Sequence, residues 1–206
     1  MYLESDNKWQ CYGCGMCEHA CPTQSITMVA DEEGFKYPEI DAETCIHCNK
    51  CVKVCPNSMQ DVPATMGPLY ALQHKDLQTL AMSQSGGAFS AIAKDVLDNG
   101  GSVYGSVLDE QFRALHTRAD RMEGIKPMCG SKYVQSIIPH EVYQYLVKDI
   151  KSGSPVLFVG TPCQAAAVQK VYGKYDNLLV VDFLCHGVPS PKVWEFFWGG
   201  GLCQTA

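Results

Sequence analysis

A duplicated cysteine pattern constrains the fold of this 206-residue chain more than any other feature of its sequence. Each copy has the spacing C-x2-C-x2-C-x3-C, and a proline follows the last cysteine of each copy. The copies start 34 residues apart, and their cysteines are Cys11, Cys14, Cys17 and Cys21, then Cys45, Cys48, Cys51 and Cys55. A repeat with a fixed offset indicates two duplicated structural units.

The number and context of the cysteines favour metal binding over disulfides. The chain has 12 cysteines, several times more than packing requires. Its first residues lack the basic and apolar regions of a secretory signal, so we expect a cytoplasmic protein whose thiols stay reduced. The longest apolar runs, such as 156–159 and 178–181, are far shorter than the roughly 18 residues of a membrane span.

The cysteine spacing has a physical reason. Three thiolates at x2 intervals let one loop reach three corners of a cubic cluster, whereas the fourth cysteine faces away and reaches a second cluster. The proline that follows restricts the backbone and turns the chain aside. This is the pattern of two-cluster bacterial ferredoxins, in which the fourth cysteine of each run ligates the opposite cluster. We therefore assign Cys11, Cys14, Cys17 and Cys55 to one 4Fe-4S cluster (cluster I), and Cys45, Cys48, Cys51 and Cys21 to another (cluster II).

Zinc is the alternative metal for these eight cysteines. Zinc sites favour two C-x2-C pairs separated by a longer loop, and a third cysteine two residues further on has no role there. The spacing therefore favours iron–sulfur clusters. Because cysteines fill every cluster position, we expect His19 and His47 to lie at the surface, and Tyr12 and Met16 to pack over cluster sulfur.

The charge of the chain divides near the same place as its cysteines. Residues 1–65 contain ten acidic residues and four lysines, whereas residues 66–206 contain twelve residues of each sign. An acidic segment argues against nucleic-acid binding, and it is either a docking surface for a basic redox partner or a solvated face. We predict an α+β ferredoxin-like dicluster domain over 1–65, with a hairpin formed by 26–29 and 35–40.

Residues 66–206 show helical and strand periodicities in alternation, after a linker at 68–74. Helices are predicted from Ser85 to Gly100, over 140–152 and from the 160–164 loop to about Tyr172. Strands are predicted over 102–108, 111–118, 155–159 and 178–184, with a tight turn at 109–110. This order predicts a partial, layered α/β domain, whose ligands bind in loops at the carboxyl ends of the strands.

Two features of these loops have two interpretations each. Ser85, Gly86 and Gly87 could offer backbone N–H groups to a phosphate, although taken alone they are better read as a plain capped helix start. Cys129, Cys163 and Cys185 could bind a metal, although on spacing alone buried structural thiols are favoured.

Four motifs behind the ferredoxin segment resemble the β-subunit family of coenzyme F-420 hydrogenase/dehydrogenase. They are Ser85-Gly-Gly87, Gly130-Ser-Lys-Tyr133, Gly160-Thr-Pro-Cys-Gln164 and Cys185-His-Gly-Val-Pro189, and the likeness covers nearly all of residues 8–196. The resemblance implies a flavoprotein that holds FAD beside an iron–sulfur centre. It also implies electron transfer between clusters and a two-electron acceptor such as the deazaflavin coenzyme.

Carried over residue by residue, the resemblance assigns two further sites. It implies that Cys129, Cys163 and Cys185 ligate a third 4Fe-4S cluster, whose fourth ligand stays open, with Asp182 and His186 nearby in sequence. It also implies a flavin site in which Lys132 offsets the negative charge of the cofactor. The residues of that site are Ser85, Gly86, Gly87, Lys132 and Tyr133.

The likeness stops within residues 193–198, and three consecutive glycines, which are poor helix formers, follow at 199–201. Family members run longer, so we expect a chain truncated at its C-terminal side that lacks part of the cofactor pocket. Cys203 receives no role.

The parts together predict an iron–sulfur flavoprotein oxidoreductase subunit that acts with a redox partner protein or a small-molecule electron acceptor, within a multi-subunit complex. The alternative is a ferredoxin-type electron carrier or docking module without its own catalytic site. Flavin content distinguishes the two. The sequence leaves the acceptor open between a deazaflavin, a nicotinamide, a thiol and another metabolite.

Overall fold

A computed structural model describes residues 2–58 and 67–198 of the chain. Its α-helices are α1 (Tyr2–Ser5), α2 (Met16–Ala20), α3 (Lys50–Val54), α4 (Leu77–Ala81), α5 (Ala88–Asp98), α6 (Met122–Ile125), α7 (His140–Ser152), α8 (Pro162–Tyr172) and α9 (Pro191–Phe196). Its strands are β1 (Ile26–Ala30), β2 (Lys36–Ile40), β3 (Ser102–Leu108), β4 (Ala114–Ala119), β5 (Val156–Gly160) and β6 (Leu178–Asp182). Within these two ranges no helix has the length and apolar character needed to cross a membrane.

The Cys-rich segment folds around one hairpin and two short helices. Strands β1 and β2 pair antiparallel from Ile26 opposite Ile40, which confirms the predicted hairpin. Helices α2 and α3 pack against each other, and each ends at the fourth cysteine of its copy, Cys21 or Cys55. Both of these cysteines have extended backbone angles, because a residue before proline is disfavoured in the helical region. The Cys-Pro pair therefore ends each helix and redirects its last thiol.

A four-stranded sheet in the order β4-β3-β5-β6 organises the rest of the chain. The β3–β4 pair is antiparallel, and β3–β5 and β5–β6 are parallel. Side chains alternate between the two faces of the sheet. On one face Tyr104 and Phe158 pack with residues of α7 and α8, and on the other Val103 and Leu157 pack with residues of α5 and α6. The ferredoxin-like part is thus followed by a mixed α/β region.

The core on the α7–α8 face includes a residue from the Cys-rich segment. Met16, the first residue of α2, is fully buried there among Tyr143, Leu146 and Phe158. The two parts of the chain consequently share one hydrophobic core. Burial in that core accounts for the apolar character of Met16, which the sequence analysis had explained by contact with cluster sulfur.

Several predicted boundaries were wrong for local reasons. Helix α5 begins at Ala88 rather than near Ser85, because Gly87 is the N-cap and has a left-handed φ of 80°. The hairpin between β3 and β4 has a longer loop than predicted, since the Asp109 carboxylate accepts the N–H groups of Gln111 and Arg113 in a turn of the kind that Asp favours. Strand β6 ends at Asp182, two residues before its predicted end. The predicted linker, residues 68–74, forms neither helix nor strand, which agrees with the prediction.

Candidate iron–sulfur and flavin sites

The four cysteines assigned to cluster I lie close together. Burial, with smaller contributions from the nearby Cys163 and Cys55 thiols, raises the pKa of the Cys14 thiol to about 12. Burial also raises the pKa of Cys11, an effect to which Cys55 contributes. Burial again is the main cause of the raised pKa of Cys17, to which Cys14 and Cys11 add. Cys55, although it belongs to the second copy, is therefore a neighbour of three cysteines of the first.

The second copy shows the reciprocal arrangement. Burial raises the pKa of the Cys51 thiol, and the neighbouring Cys48 and Cys21 thiols add to that rise. Cys21, from the first copy, thus lies with cysteines of the second. Cys48 is exposed to solvent, whereas Cys14 and Cys17 are largely covered. Cluster I is the inner site and cluster II is the outer one.

These donor sets fit 4Fe-4S clusters. Raised thiol pKa values mean that crowded, buried thiolates need a compensating positive charge, which an iron–sulfur core supplies. Within residues 2–58 and 67–198, no three His, Cys, Asp or Glu side chains are close enough together to hold a single metal ion. When bound, such a cluster takes up or releases one electron, and N–H groups near its sulfurs help to set its potential. Here the Gly13 and Ser25 amides donate to the Cys11 and Cys21 sulfurs, at 3.4 and 3.3 Å.

The two copies also have left-handed backbone angles at corresponding positions between their cysteines. Gly13 and Gly15 have left-handed φ values of 64° and 73°, and the residues 34 positions later, His47 and Asn49, have φ values of 50° and 57°. Glycine is favoured at position 13, because its φ is left-handed and a Cβ there would lie 3.2 Å from the Lys36 carbonyl oxygen and would displace the Gln135 side chain. The second copy tolerates side chains because its loop faces solvent, and His47 is exposed there as predicted.

Three donors from the α/β region reach backbone carbonyls of the cluster I loops. The Gln135 side chain donates to the Tyr12 carbonyl at 3.3 Å. The Tyr143 hydroxyl donates to the Cys14 carbonyl at 2.9 Å, and the Lys170 ammonium donates to the Cys55 carbonyl at 2.7 Å. None of these donors is predicted from the sequence, because a backbone carbonyl acceptor leaves no residue-type signal.

The prediction that His19 lies at the surface was wrong. Its ring stacks on Tyr143, with centroids 4.7 Å apart, and its Nε2 lies 3.0 Å from the Tyr172 hydroxyl. Burial, with a smaller effect of His140, lowers the pKa of His19 to about 4, so the imidazole is neutral at pH 7. Its position on α2, facing α7, makes it part of the contact between the two parts of the chain rather than a metal ligand.

The three cysteines predicted to share a third cluster lie in different surroundings. Cys163, at the start of α8, has its sulfur 3.2 Å from the Thr161 hydroxyl and lies near the cluster I thiols. Cys129 has its sulfur 3.6 Å from the Ser90 hydroxyl, beside the first turn of α5. Cys185 is exposed in the segment after β6, and Asp182 at the end of β6 and His186 next to Cys185 are exposed as well. No grouping of all three is present among the described residues.

The Ser85-Gly-Gly87 turn packs against its own chain. The His74 N–H donates to the Gly86 carbonyl at 2.7 Å, and a Cβ at Gly86 would lie 2.1 Å from the Leu72 carbonyl oxygen. Gly87 is buried, whereas Ser85 is exposed. Internal packing alone therefore requires glycine at position 86, and a phosphate would have to displace residues 72–74.

The second flavin motif lies beside this turn. The space next to Gly130 is lined by Gln84, and Cys129 contacts Ser90. The Lys132 ammonium is already satisfied by the carbonyls of Met128, Cys129 and Gly130, at 2.7 to 3.0 Å, and burial lowers its pKa. Tyr133 is 71% exposed. The fold thus places the two motifs side by side. Of their residues, Tyr133 and Ser85 are exposed and accessible to a ligand.

Comparison with known proteins supports 4Fe-4S clusters in the Cys-rich segment. A 4Fe-4S dicluster domain family matches residues 10–59, and a second family of the same description matches residues 37–99. The second range contains four of the eight cysteines, from Cys45 to Cys55, and overlaps the first, so the two matches fall on one Cys-rich segment. The ferredoxin-like protein of the nif region of Sinorhizobium fredii is 38% identical over 61 residues, which are 27% of this chain and 88% of that protein.

A longer relative covers most of the chain. One component of the F(420)H(2) dehydrogenase of Methanosarcina mazei is 24% identical over 189 residues, which are 85% of this chain and 53% of that component. The chain therefore spans about half the length of this relative. A solved structure of the F-420-reducing [NiFe] hydrogenase complex from Methanosarcina barkeri shares the fold, with a TM-score of 0.50 and 21% identity over 62% of this chain and 47% of that one. The chain therefore contains a 4Fe-4S dicluster domain of the ferredoxin kind, and over most of its length it is similar to a component of the F(420)H(2) dehydrogenase.

Proposed function

We propose that this chain is an electron-transfer subunit of an oxidoreductase, in which cluster II accepts electrons from a partner and cluster I delivers them to the α/β region. The observation that carries the proposal is the unequal covering of the two cysteine sets, because burial strongly raises the pKa of Cys14 and Cys17 in one set whereas Cys48 in the other is exposed. Cys48 of the outer set is exposed, and Cys14 of the inner set is hydrogen-bonded to Tyr143 of α7. An outer and an inner site form a route from the surface into the protein.

We further propose that the α/β region holds FAD and belongs to a larger complex that acts on a two-electron acceptor such as a deazaflavin. A flavin converts between one-electron and two-electron carriers. Two observations support this proposal: the Ser85–Gly87 turn lies next to the 129–133 loop, and the chain is similar to a component of the F(420)H(2) dehydrogenase. The alternative is a plain electron carrier or docking module. It is supported by the hydrogen bonds that Gly86 and Lys132 already make to other residues of this chain.

The flavin proposal is tested with the exposed Tyr133. We expect Tyr133→Ala to weaken FAD binding about 2- to 12-fold, since an aromatic pair contributes about 0.5–1.5 kcal/mol beyond its buried area. The measurement is titration of the anaerobically purified, iron-loaded protein with FAD. Tyr145→Ala is the matched control, because Tyr145 is also an exposed aromatic residue but lies on α7. Lack of FAD binding by the unaltered protein would leave the carrier alternative.

A third 4Fe-4S cluster at Cys129, Cys163 and Cys185 is a separate proposal. We expect each change to serine to lower the iron content by about four atoms and to leave the signals of the dicluster domain in place. Loss of one ligand usually dismantles a shared site. Cys203→Ser is the matched control, because Cys203 is the one remaining cysteine without an assigned role. Full iron content in all three variants, with changes in thermal stability alone, would make these cysteines structural.

A further inference from the structure

Lys170 is a cation held beside one ligand of cluster I. It lies on α8, two turns after Cys163, and α8 packs along α3 and the Pro56–Ser58 turn. Its Nζ donates to the Cys55 carbonyl and to the Ser58 hydroxyl, both at 2.7 Å. None of the ion pairs found among residues 2–58 and 67–198 includes Lys170. Within those two ranges the ammonium therefore has no carboxylate partner.

The corresponding surroundings of cluster II differ. The lysines of that copy, Lys50 and Lys53, lie on α3 and are exposed to solvent. Water and salt screen the field of an exposed charge, whereas a partly buried charge is screened much less. Lys170 is partly buried between α8 and the Cys55 loop. Of the two sites, cluster I is the one with a weakly screened cation at a ligand loop.

We propose, on the basis of the electron-transfer function above, that Lys170 is a positioning residue that raises the reduction potential of cluster I. One electron entering a 4Fe-4S site adds one negative charge and breaks no bond. A fixed positive charge nearby stabilises the reduced form more than the oxidised form. Burial alone acts in the opposite direction, because it disfavours the more highly charged form. Lys170 offsets that effect, so the inner site accepts an electron from the outer site.

Helix α8 adds to this field from its other end. It is 11 residues long, and its first turn holds Cys163 near Cys11 and Cys14. The N-terminus of a helix carries partial positive charge that favours a nearby anion. One helix therefore presents positive potential to cluster I at two points, its first turn and Lys170.

The test is an anaerobic redox titration followed by electron paramagnetic resonance, with dithionite as the one-electron reductant. We expect Lys170→Met to shift the midpoint potential of cluster I to more negative values and to leave that of cluster II in place. Lys170→Gln keeps a hydrogen-bond donor without the charge and should show most of the same shift. Lys170→Arg keeps the charge and should show little shift. Lys174→Met is the control for the loss of one charge, because Lys174 is exposed beyond the end of α8.

Two outcomes would overturn the proposal. In one, Lys170→Met and Lys170→Gln leave the potential of cluster I unchanged although iron and sulfide contents stay complete. In the other, Lys174→Met produces the same shift as Lys170→Met, so that net charge alone is responsible. If Lys170→Met loses cluster I, Lys170→Gln and Lys170→Arg still decide between charge and structure. The titration needs no flavin, so failure of the FAD proposal and failure of this one are separate results.

Discussion

Removing Cys55 is expected to abolish cluster I, although Cys55 belongs to the second copy of the motif. Cys55→Ala should lower the iron and sulfide content by about four atoms each, as for the loss of one 4Fe-4S cluster. The physical reason is the crossing seen in the structure, where Cys55 is a neighbour of Cys11 and Cys14. The measurement is iron and sulfide analysis of anaerobically purified protein.

Double variants test whether the fourth cysteine of each copy serves the cluster of the other copy. Cys55→Ala combined with Cys14→Ala should lose no more iron than either single variant, because both residues serve cluster I. Cys55→Ala combined with Cys48→Ala should lose both clusters. In an uncrossed arrangement, the combination with Cys14→Ala would lose both clusters. The combination with Cys48→Ala would lose only one. Zinc in place of iron, in protein made with an adequate iron supply, would contradict the assignment as a whole.

Loss of the Tyr143 ring is expected to cause the largest loss of stability. The side chain is buried, stacks on His19 and donates a hydrogen bond to the Cys14 carbonyl. Truncation of a buried aromatic residue to alanine costs about 3–5 kcal/mol. We expect Tyr143→Ala to lower the denaturant midpoint of unfolding and to release cluster I at lower denaturant than in the unaltered protein. The measurement combines circular dichroism with visible absorbance of the clusters.

A second variant separates packing from the hydrogen bond. Tyr143→Phe keeps the ring and leaves the Cys14 carbonyl without its donor, so we expect a smaller loss of about 0.5–1.5 kcal/mol. Tyr145→Ala, at an exposed position of the same helix, should change stability by less than about 0.5 kcal/mol. Equal midpoints for Tyr143→Ala and Tyr145→Ala would show that the contact between the two parts of the chain does not stabilise the protein.

Sequence reasoning succeeded where structure depends on residues close together in the chain. The spacing within each copy predicts which thiols reach one cluster, and Pro22 and Pro56 end the helices at Cys21 and Cys55. The hairpin of β1 and β2 and the strands at the centre of the sheet follow from periodicity over a few residues. The start of α5 was misplaced because a left-handed Gly87, rather than the Ser85 side chain, caps it.

The tertiary structure decided which cluster is covered, what surrounds it and why particular residues are present. Lys170 and Tyr143 reach carbonyls 115 and 129 residues away, and neither contact has a signature in spacing or residue type. His19 looks like a surface residue in its motif, yet α7 covers it once the chain folds. Gly86 fits a phosphate-binding turn by sequence, yet its close neighbour is the Leu72 carbonyl. The sequence by itself predicted the ligands of the two clusters, because bonding to a cluster requires specific side chains at specific spacings. Which cluster is inner and which is outer depended on packing between distant segments, and many sequences satisfy such packing equally well.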